Sequence, residues 1–300
     1  AGAIAAIRDT NGDGVADSLI KFGEYHKPQK GNYSTAARIY KGYLYYSSQL
    51  TVYRLKLDEN LVPQGKAEII VDDDHPAAGN ATLVYMQDDS WSGITTDHLK
   101  LWTINIDWAN PSNSSISSPV QLNTTAFNST FDGGSFSNLE QPSGPDIDAM
   151  QWTIMNQAQF RKFPTHNSAV LNFVVDVDGS SAELAGVRWF ELRQDGDGQP
   201  WYIHQEGTYT APDGRHAFGA SMSIDLQGNI GMGYSSVSTS ESVSLRYTGR
   251  YAADPLGEMT LEEGLIAQST GNSTNLRYAD YAHMSLSLIH ISEPTRRRGI

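Results

Sequence analysis

Apolar and polar residues alternate along residues 50–57 (LTVYRLKL) and, over a longer run, along 99–108 (LKLWTINIDW). A period of two in runs rich in Val, Tyr and Thr marks a half-buried strand. Residues 43–47, 169–177, 186–193, 201–210 and 244–250 read the same way. Asp-Gly pairs at Asp132, Asp178, Asp197 and Asp213, and Gly-Asn at Gly228, supply the positive φ angles that tight hairpins need. Residues 221–235 (SMSIDLQGNIGMGYS) read as strand, turn, strand, with small residues at close spacing. Helix signals are scarce. Many short strands with frequent turns predict an all-β chain: a sandwich, a barrel or a β-propeller. Residues 110–144, rich in Ser, Asn, Thr, Pro and Gly, are expected to form a long ordered connection within a domain.

Composition narrows the function classes. The 300 residues carry a formal net charge of -13, a surface that repels nucleic-acid phosphates. There is no cysteine, so disulfides and thiolate metal sites are excluded, as suits an exported bacterial protein. No apolar run approaches the roughly 20 residues that span a bilayer. Ala1 is not followed by a basic and then an apolar segment, so the start reads as a mature or cropped end. Six N-x-S/T triplets, at Asn32, Asn80, Asn113, Asn123, Asn128 and Asn272, read as polar loop composition. The expected location is secreted, periplasmic or on a bacterial cell surface.

Three segments carry three resemblances. Residues 1–76, through IRDTNGDGVAD (7–17), ARIYKGYLY (37–45) and TVYRL (51–55), resemble sorbosone-type sugar dehydrogenases, propellers that use pyrroloquinoline quinone. Residues 77–285 resemble sialidase-like secreted bacterial propellers of unassigned activity. That likeness rests on MQDDSWSG (86–93), DHLKLW (97–102), THNS (165–168), RYTGR (246–250) and RYADY (277–281). Residues 286–300, with SLIHISEPTR (287–296), resemble translated sequencing adapter and read as a non-native tail. The resemblances imply a propeller, with room for about six blades of roughly 40–50 residues, incomplete or composite. Either two propeller fragments are fused near Asp73-Asp74-His75-Pro76, or a natural propeller has a first blade resembling the dehydrogenases.

Quinone-dependent oxidation needs a His base and cationic groups around the cofactor. In that family these lie largely beyond the matched segment. His26 and His75 fall inside it and read as surface histidines. Sialidase-type chemistry needs an arginine cluster for a substrate carboxylate and a Tyr–Glu nucleophile pair. Arg188, Arg215, Arg246, Arg250 and Arg277, with Tyr247, Tyr278 and Tyr281, supply the residue types without a diagnostic spacing. Arginines on strands also brace loops and cover aromatic rings. Residues 223–229 (SIDLQGN) echo part of the structural Asp box of such propellers. Asp97 and His98 with His166, Asn167 and Ser168 offer a polar cluster whose simpler reading is capping and turn bonding.

Two functions follow. One is a carbohydrate-binding or surface propeller without a complete active site, with Trp91, Trp102, Trp108, Trp152, Trp189 and Trp201 as candidate stacking platforms or as core. The alternative is a quinone-dependent sugar dehydrogenase fragment, with a sialidase-like glycoside hydrolase as the second enzymatic choice. One motif carries chemistry in its spacing. Asp9, Asn11, Asp13 and Asp17 occupy positions 1, 3, 5 and 9 of a calcium-type loop, with Gly14 at position 6 and the Val15 carbonyl at position 7. Position 12 is Ile20, so the bidentate Glu of a helical calcium hand is absent, and affinity is expected on the order of 10⁻⁴–10⁻³ M. The other reading is a polar turn without metal. The calcium reading predicts that calcium protects residues 7–21 from protease and that Asp13→Ala abolishes the protection. Equal digestion with calcium and with chelator excludes the site.

Overall fold

A computed structural model of the chain describes residues 4–8, 18–22, 37–47, 51–58, 62–72, 81–107, 110–179, 183–279 and 284. About 50% of the protein is strand and 3% helix, so the chain is all-β, and among the described residues no sheet closes into a barrel. Two compact units divide it, residues 1–79 and 80–300.

In the first unit, β1 (Ile4–Arg8) and β2 (Ser18–Phe22) pair antiparallel, from Ile4 opposite Phe22 to Arg8 opposite Ser18. β3 (Ala37–Tyr40), β4 (Tyr43–Ser47), β5 (Thr51–Leu57) and β6 (Pro63–Asp72) form a four-stranded meander in chain order. Lys41 and Gly42 join β3 to β4 with φ of 45° and 75°, the two positive angles of a type I′ turn. The alternation seen in the sequence buries Leu44, Tyr46, Leu55 and Leu57 together. Leu44 stands opposite Leu55, and Tyr46 stacks on Tyr53 at 5.0 Å between ring centres.

The described residues of the second unit form three sheets. β7 (Ala81–Gln87) and β8 (His98–Asn105) pair antiparallel, and β9 (Ser115–Ile116) and β10 (Val120–Asn123) share the other edge of β8. β11 (Ile154–Lys162), β12 (Asn167–Asp176), β13 (Ala185–Gln194) and β14 (Tyr202–Tyr209) form a meander. So do β15 (His216–Ile224), β16 (Ile230–Ser238), β17 (Glu241–Arg250) and β18 (Gly264–Gln268).

The middle sheet is covered on both faces. Every residue of β12 is buried. Leu171, Phe173, Val175, Phe190 and Leu192 pack with Met86, Leu99 and Leu101 of the β7–β8 sheet. Val170, Val187 and Trp189 point the other way, into a core with Met222, Ile224, Ile230 and Met232 of the β15–β16 hairpin. Each such side chain contributes about 1.5–3 kcal/mol on burial. A third cluster joins Phe131, Leu139, Ile147 and Ala149 of the β10–β11 connection to Val174, Ala185, Phe218, Val237 and Val243. That connection is anchored by side-chain bonds: Ser129 N and Oγ donate to Asp88 at 2.7 Å each, and Phe127 N donates to Asp97 at 2.7 Å. Asn128 lies on the same path, and its side-chain amide donates to Asp176.

The observed strands fall close to the alternating runs. The 99–108 run ends earlier, at Asn105, because the Asp107 carboxylate accepts from Asn110 N and turns the chain; Trp108 lies outside the described residues. β11 (IMNQAQFRK) was not legible, since its polar positions and a register shift between Met155 and Gln159 hide the period. At the SIDLQGN segment, the Asp225 carboxylate accepts from Gln227 N, Asn229 N and Asn229 Nδ2, and Gly228 takes φ 85°. It closes the β15–β16 hairpin, a structural role.

One close approach fixes the β17–β18 loop against β14. A Cβ built on Gly207 would lie 2.1 Å from the Gly257 carbonyl oxygen and 3.0 Å from the Trp189 indole nitrogen. Gly207→Ala is therefore expected to destabilise the fold by about 1–3 kcal/mol. Denaturant unfolding checks this, and an unchanged midpoint contradicts the close packing.

Candidate functional site

Two of the five arginines singled out in the sequence converge on one carboxylate. Arg215 immediately precedes β15, Tyr234 lies on β16, Arg246 on β17, and Glu263 immediately precedes β18. Adjacent strands thus each bring one group to the same place. Arg215 Nη2 donates to Glu263 Oε1 at 2.7 Å, and Arg246 Nη1 donates to the same oxygen at 2.6 Å. The Tyr234 hydroxyl donates to Glu263 Oε2, and the Tyr209 and Tyr234 hydroxyls lie 2.9 Å apart. Asp213 and Glu241 complete the ring of acids: Arg215 Nε donates to Asp213 at 2.6 Å, and Arg246 Nη2 donates to Glu241 at 2.7 Å. The Glu263 and Arg215 side chains are only 9% and 5% exposed.

Burial opposes ionisation of Glu263. The Tyr234 and Arg215 hydrogen bonds and the two guanidinium charges outweigh it and hold the carboxyl below its ordinary value of 4.5. Tyr234 is pushed far above the ordinary tyrosine range, by burial first and then by its bond to Glu263. Arg215 is raised because its bonds to Asp213 and Glu263 overcome the desolvation that opposes them. The chemistry that results is a closed network: Glu263 is ionised, both its oxygens are engaged, and Tyr234 keeps its proton. The two guanidiniums on Oε1 make Glu263 a weaker base towards the Tyr234 hydroxyl that donates to its Oε2.

The remaining sequence candidates lie elsewhere. Arg188 pairs with Glu206, donates to Thr125 Oγ1 at 2.5 Å and covers the Phe190 ring at 5.2 Å. Arg250, fully buried, donates to the carbonyls of Asp254, Pro255 and Glu258 and braces the β17–β18 loop. Arg277 is exposed and 3.8 Å from Asp148. Tyr247 is 47% exposed, and Tyr278 packs near Phe218. The tyrosines that do meet the arginines, Tyr209 and Tyr234, were not singled out. Tyr234 stands opposite Arg246, but a one-residue register shift near the hairpin end moves it from the position that simple counting gives.

Asp97, His98 and residues 166–168 are not linked by any hydrogen bond among the described residues. Asp97 accepts from Asp89 N and Phe127 N at 2.7 Å each; Asp88 accepts from Ser90 N and from Ser129. Asp88, Asp89 and Asp97 bring carboxylate oxygens within 4.8 Å of one another, but both oxygens of Asp88 and of Asp97 serve to hold the β7–β8 loop and the β10–β11 connection. Burial is the largest influence on Asp97 and raises it, whereas at Asp88 the Ser90 and Ser129 donors overcome burial and lower it. His98 Nδ1 meets the Thr96 carbonyl oxygen at 2.6 Å. His166 stacks on Phe163, Asn167 bonds Gln194 and Asp197, and Ser168 donates to the buried Glu191. The Asp88, Asp97 and His98 bonds are turn and loop-anchoring contacts, whereas Asn167 and Ser168 bond across the β12–β13 pair.

The calcium-type loop (Asp9, Asn11, Asp13, Val15, Asp17) lies outside the described residues, as do His26, His75, Tyr281, the 73–76 junction and the tail from 286. The strands that flank the loop, β1 and β2, are paired up to Arg8 and Ser18.

No protein-family model matches the chain, and no curated protein matches it. Among solved structures, the chain is similar to a protein of unknown function from Dyadobacter fermentans DSM 18053. The identity is 11%, over 80% of this chain and 85% of that one, with a TM-score of 0.20.

Removing the charge at the centre of the network tests its weight. Glu263→Gln leaves Arg215 and Arg246 facing a neutral amide and is expected to cost about 3–5 kcal/mol. The sign with pH follows from the lowered carboxyl: its contribution is present above about 4.5 and is lost as pH falls through the folded-state value. Unfolding midpoints should therefore differ most between variant and parent at pH 7, and the gap should narrow as pH falls below about 4.5.

Proposed function

We propose that the protein is an extracytoplasmic β-propeller of about six blades, incomplete or composite, that binds carbohydrate and carries no complete active site. One observation carries the reading: a half-exposed aromatic pair held at fixed orientation near the β7–β8 sheet. Phe160, 55% exposed, meets Trp201 edge to face at 6.4 Å, and the Trp201 indole N–H donates to Thr82 Oγ1 at 3.2 Å. Pinning the indole removes the rotamer freedom that a sugar would otherwise have to freeze out on stacking. Tyr85 and Trp91 form a second tilted pair at 6.2 Å. Trp189 is fully buried core, while Trp91 and Trp201 pack against the core on one side and remain partly exposed, the position a stacking platform needs.

Binding is preferred to sialidase-type hydrolysis because the Tyr234–Glu263 pair is neutralised by the chain's own arginines. Location outside the cytoplasm rests on the absence of cysteine and the acidic charge. Calcium at the 9–17 loop is part of the same proposal.

Titrating the protein with neutral oligosaccharides while following tryptophan fluorescence tests the reading. A saturable change is expected, and Trp201→Ala should weaken it roughly twofold to tenfold, as loss of about 0.5–1.5 kcal/mol of ring contact implies. Absence of saturation across a glycan panel overturns it.

A further inference from the structure

A buried histidine joins two of the sheets through its ring. His216 opens β15 and Ala185 opens β13, so the pair spans the seam between the β11–β14 and β15–β18 sheets. Ala185 N donates to His216 Nδ1 at 3.2 Å. A ring nitrogen that accepts a hydrogen bond carries no proton, so the imidazole is neutral with its proton on Nε2. Both residues are buried, His216 at 8% exposure and Ala185 at 0%. Ala185 and Phe218 belong to the apolar cluster at this end of the seam.

We propose that His216 is an acid-labile clasp between the two sheets. Protonation of Nδ1 replaces the acceptor with a donor, leaves the buried Ala185 N–H facing another N–H, and opens the seam at this end. A buried donor without a partner costs about 1–3 kcal/mol, so the change is large enough to matter locally.

The surroundings set the direction. Burial lowers His216 from its ordinary 6.5, and Asp178 of the β12–β13 turn acts against that. The same turn presents Asp176, which accepts from Leu184 N at 3.2 Å, and Glu183, which accepts from Asp132 N at 2.8 Å. Both are raised, by burial first. On its own strand, Arg215 is committed to Asp213 and Glu263, and its Nη1 donates to Ser236 Oγ, which in turn donates to the His216 carbonyl. For His216 the unfolded chain takes the proton first. Its stabilising contribution is complete above about 6.5 and declines as pH falls from there towards the folded-state value. Asp176 and Glu183 work in the opposite sense, since the folded chain protonates them first.

Because these effects oppose each other, the test is a comparison of variants of the full chain. His216→Gln keeps a side-chain acceptor for Ala185 N–H and does not titrate. The ratio of its unfolding constant to that of the parent should change several-fold between pH 7.5 and pH 5, in favour of the variant at low pH. Parallel profiles for His216→Gln and the parent overturn the clasp. If His216→Gln does not fold, imidazole nitrogen NMR of the parent decides: the Nε2–H tautomer at pH 7.5 with a midpoint below 6.5 supports the clasp. The Nδ1–H tautomer, or a midpoint at or above 6.5, overturns it.

Discussion

β12 and β13 have no solvent face. Their odd and even positions feed different hydrophobic cores, Leu171, Phe173 and Val175 one way and Val170 and Val174 the other. A strand in this position requires apolar residues throughout, and a shift of one residue would exchange the two sets completely. The β7–β8 sheet and the β15–β16 hairpin are held in place by fitting onto these two surfaces. The Glu263 network draws on residues of β14, β16 and β17 and on residues flanking β15 and β18.

Buried charge is spent internally. Glu263 lies between two guanidiniums, Arg188 between Glu206 and Thr125, and Arg250 among backbone carbonyls. Each buried cation satisfies a requirement that burial itself creates: a desolvated guanidinium must find acceptors. The consequence for function is that residue types suggestive of catalysis are engaged in holding loops. Phe160 is by contrast exposed, in edge-to-face contact with Trp201.

Much of the strand content was legible because period-two alternation and Asp-Gly turns are local signals. Residues 50–57 and 169–177 fall on β5 and β12, and the turns at Asp178, Asp197 and Asp213 each place their glycine at positive φ. β11 escaped because its side chains are polar and its register is shifted. The meeting of Arg215 and Arg246 with Tyr234 and Glu263 was not legible either. It depends on hairpin register and on a loop residue, neither of which leaves a spacing in the sequence. The capping roles of Asp88 and Asp97 reach over 41 and 30 residues, to Ser129 and Phe127, and no local pattern encodes such distances.

The β10–β11 connection has a kinetic consequence. The three meanders are built from hairpins whose partners are close in sequence, so each sheet can pair early. The connection closes by other means: the Gln141 side chain donates to the Ser273 carbonyl at 3.0 Å, across 132 residues, and Asp148 N donates to the Leu276 carbonyl at 2.9 Å. Those bonds require the whole β11–β18 stretch to be in position first, and the entropy of closing so long a loop is repaid only then. Loop-closure entropy therefore favours hairpins forming before the 124–149 segment is seated.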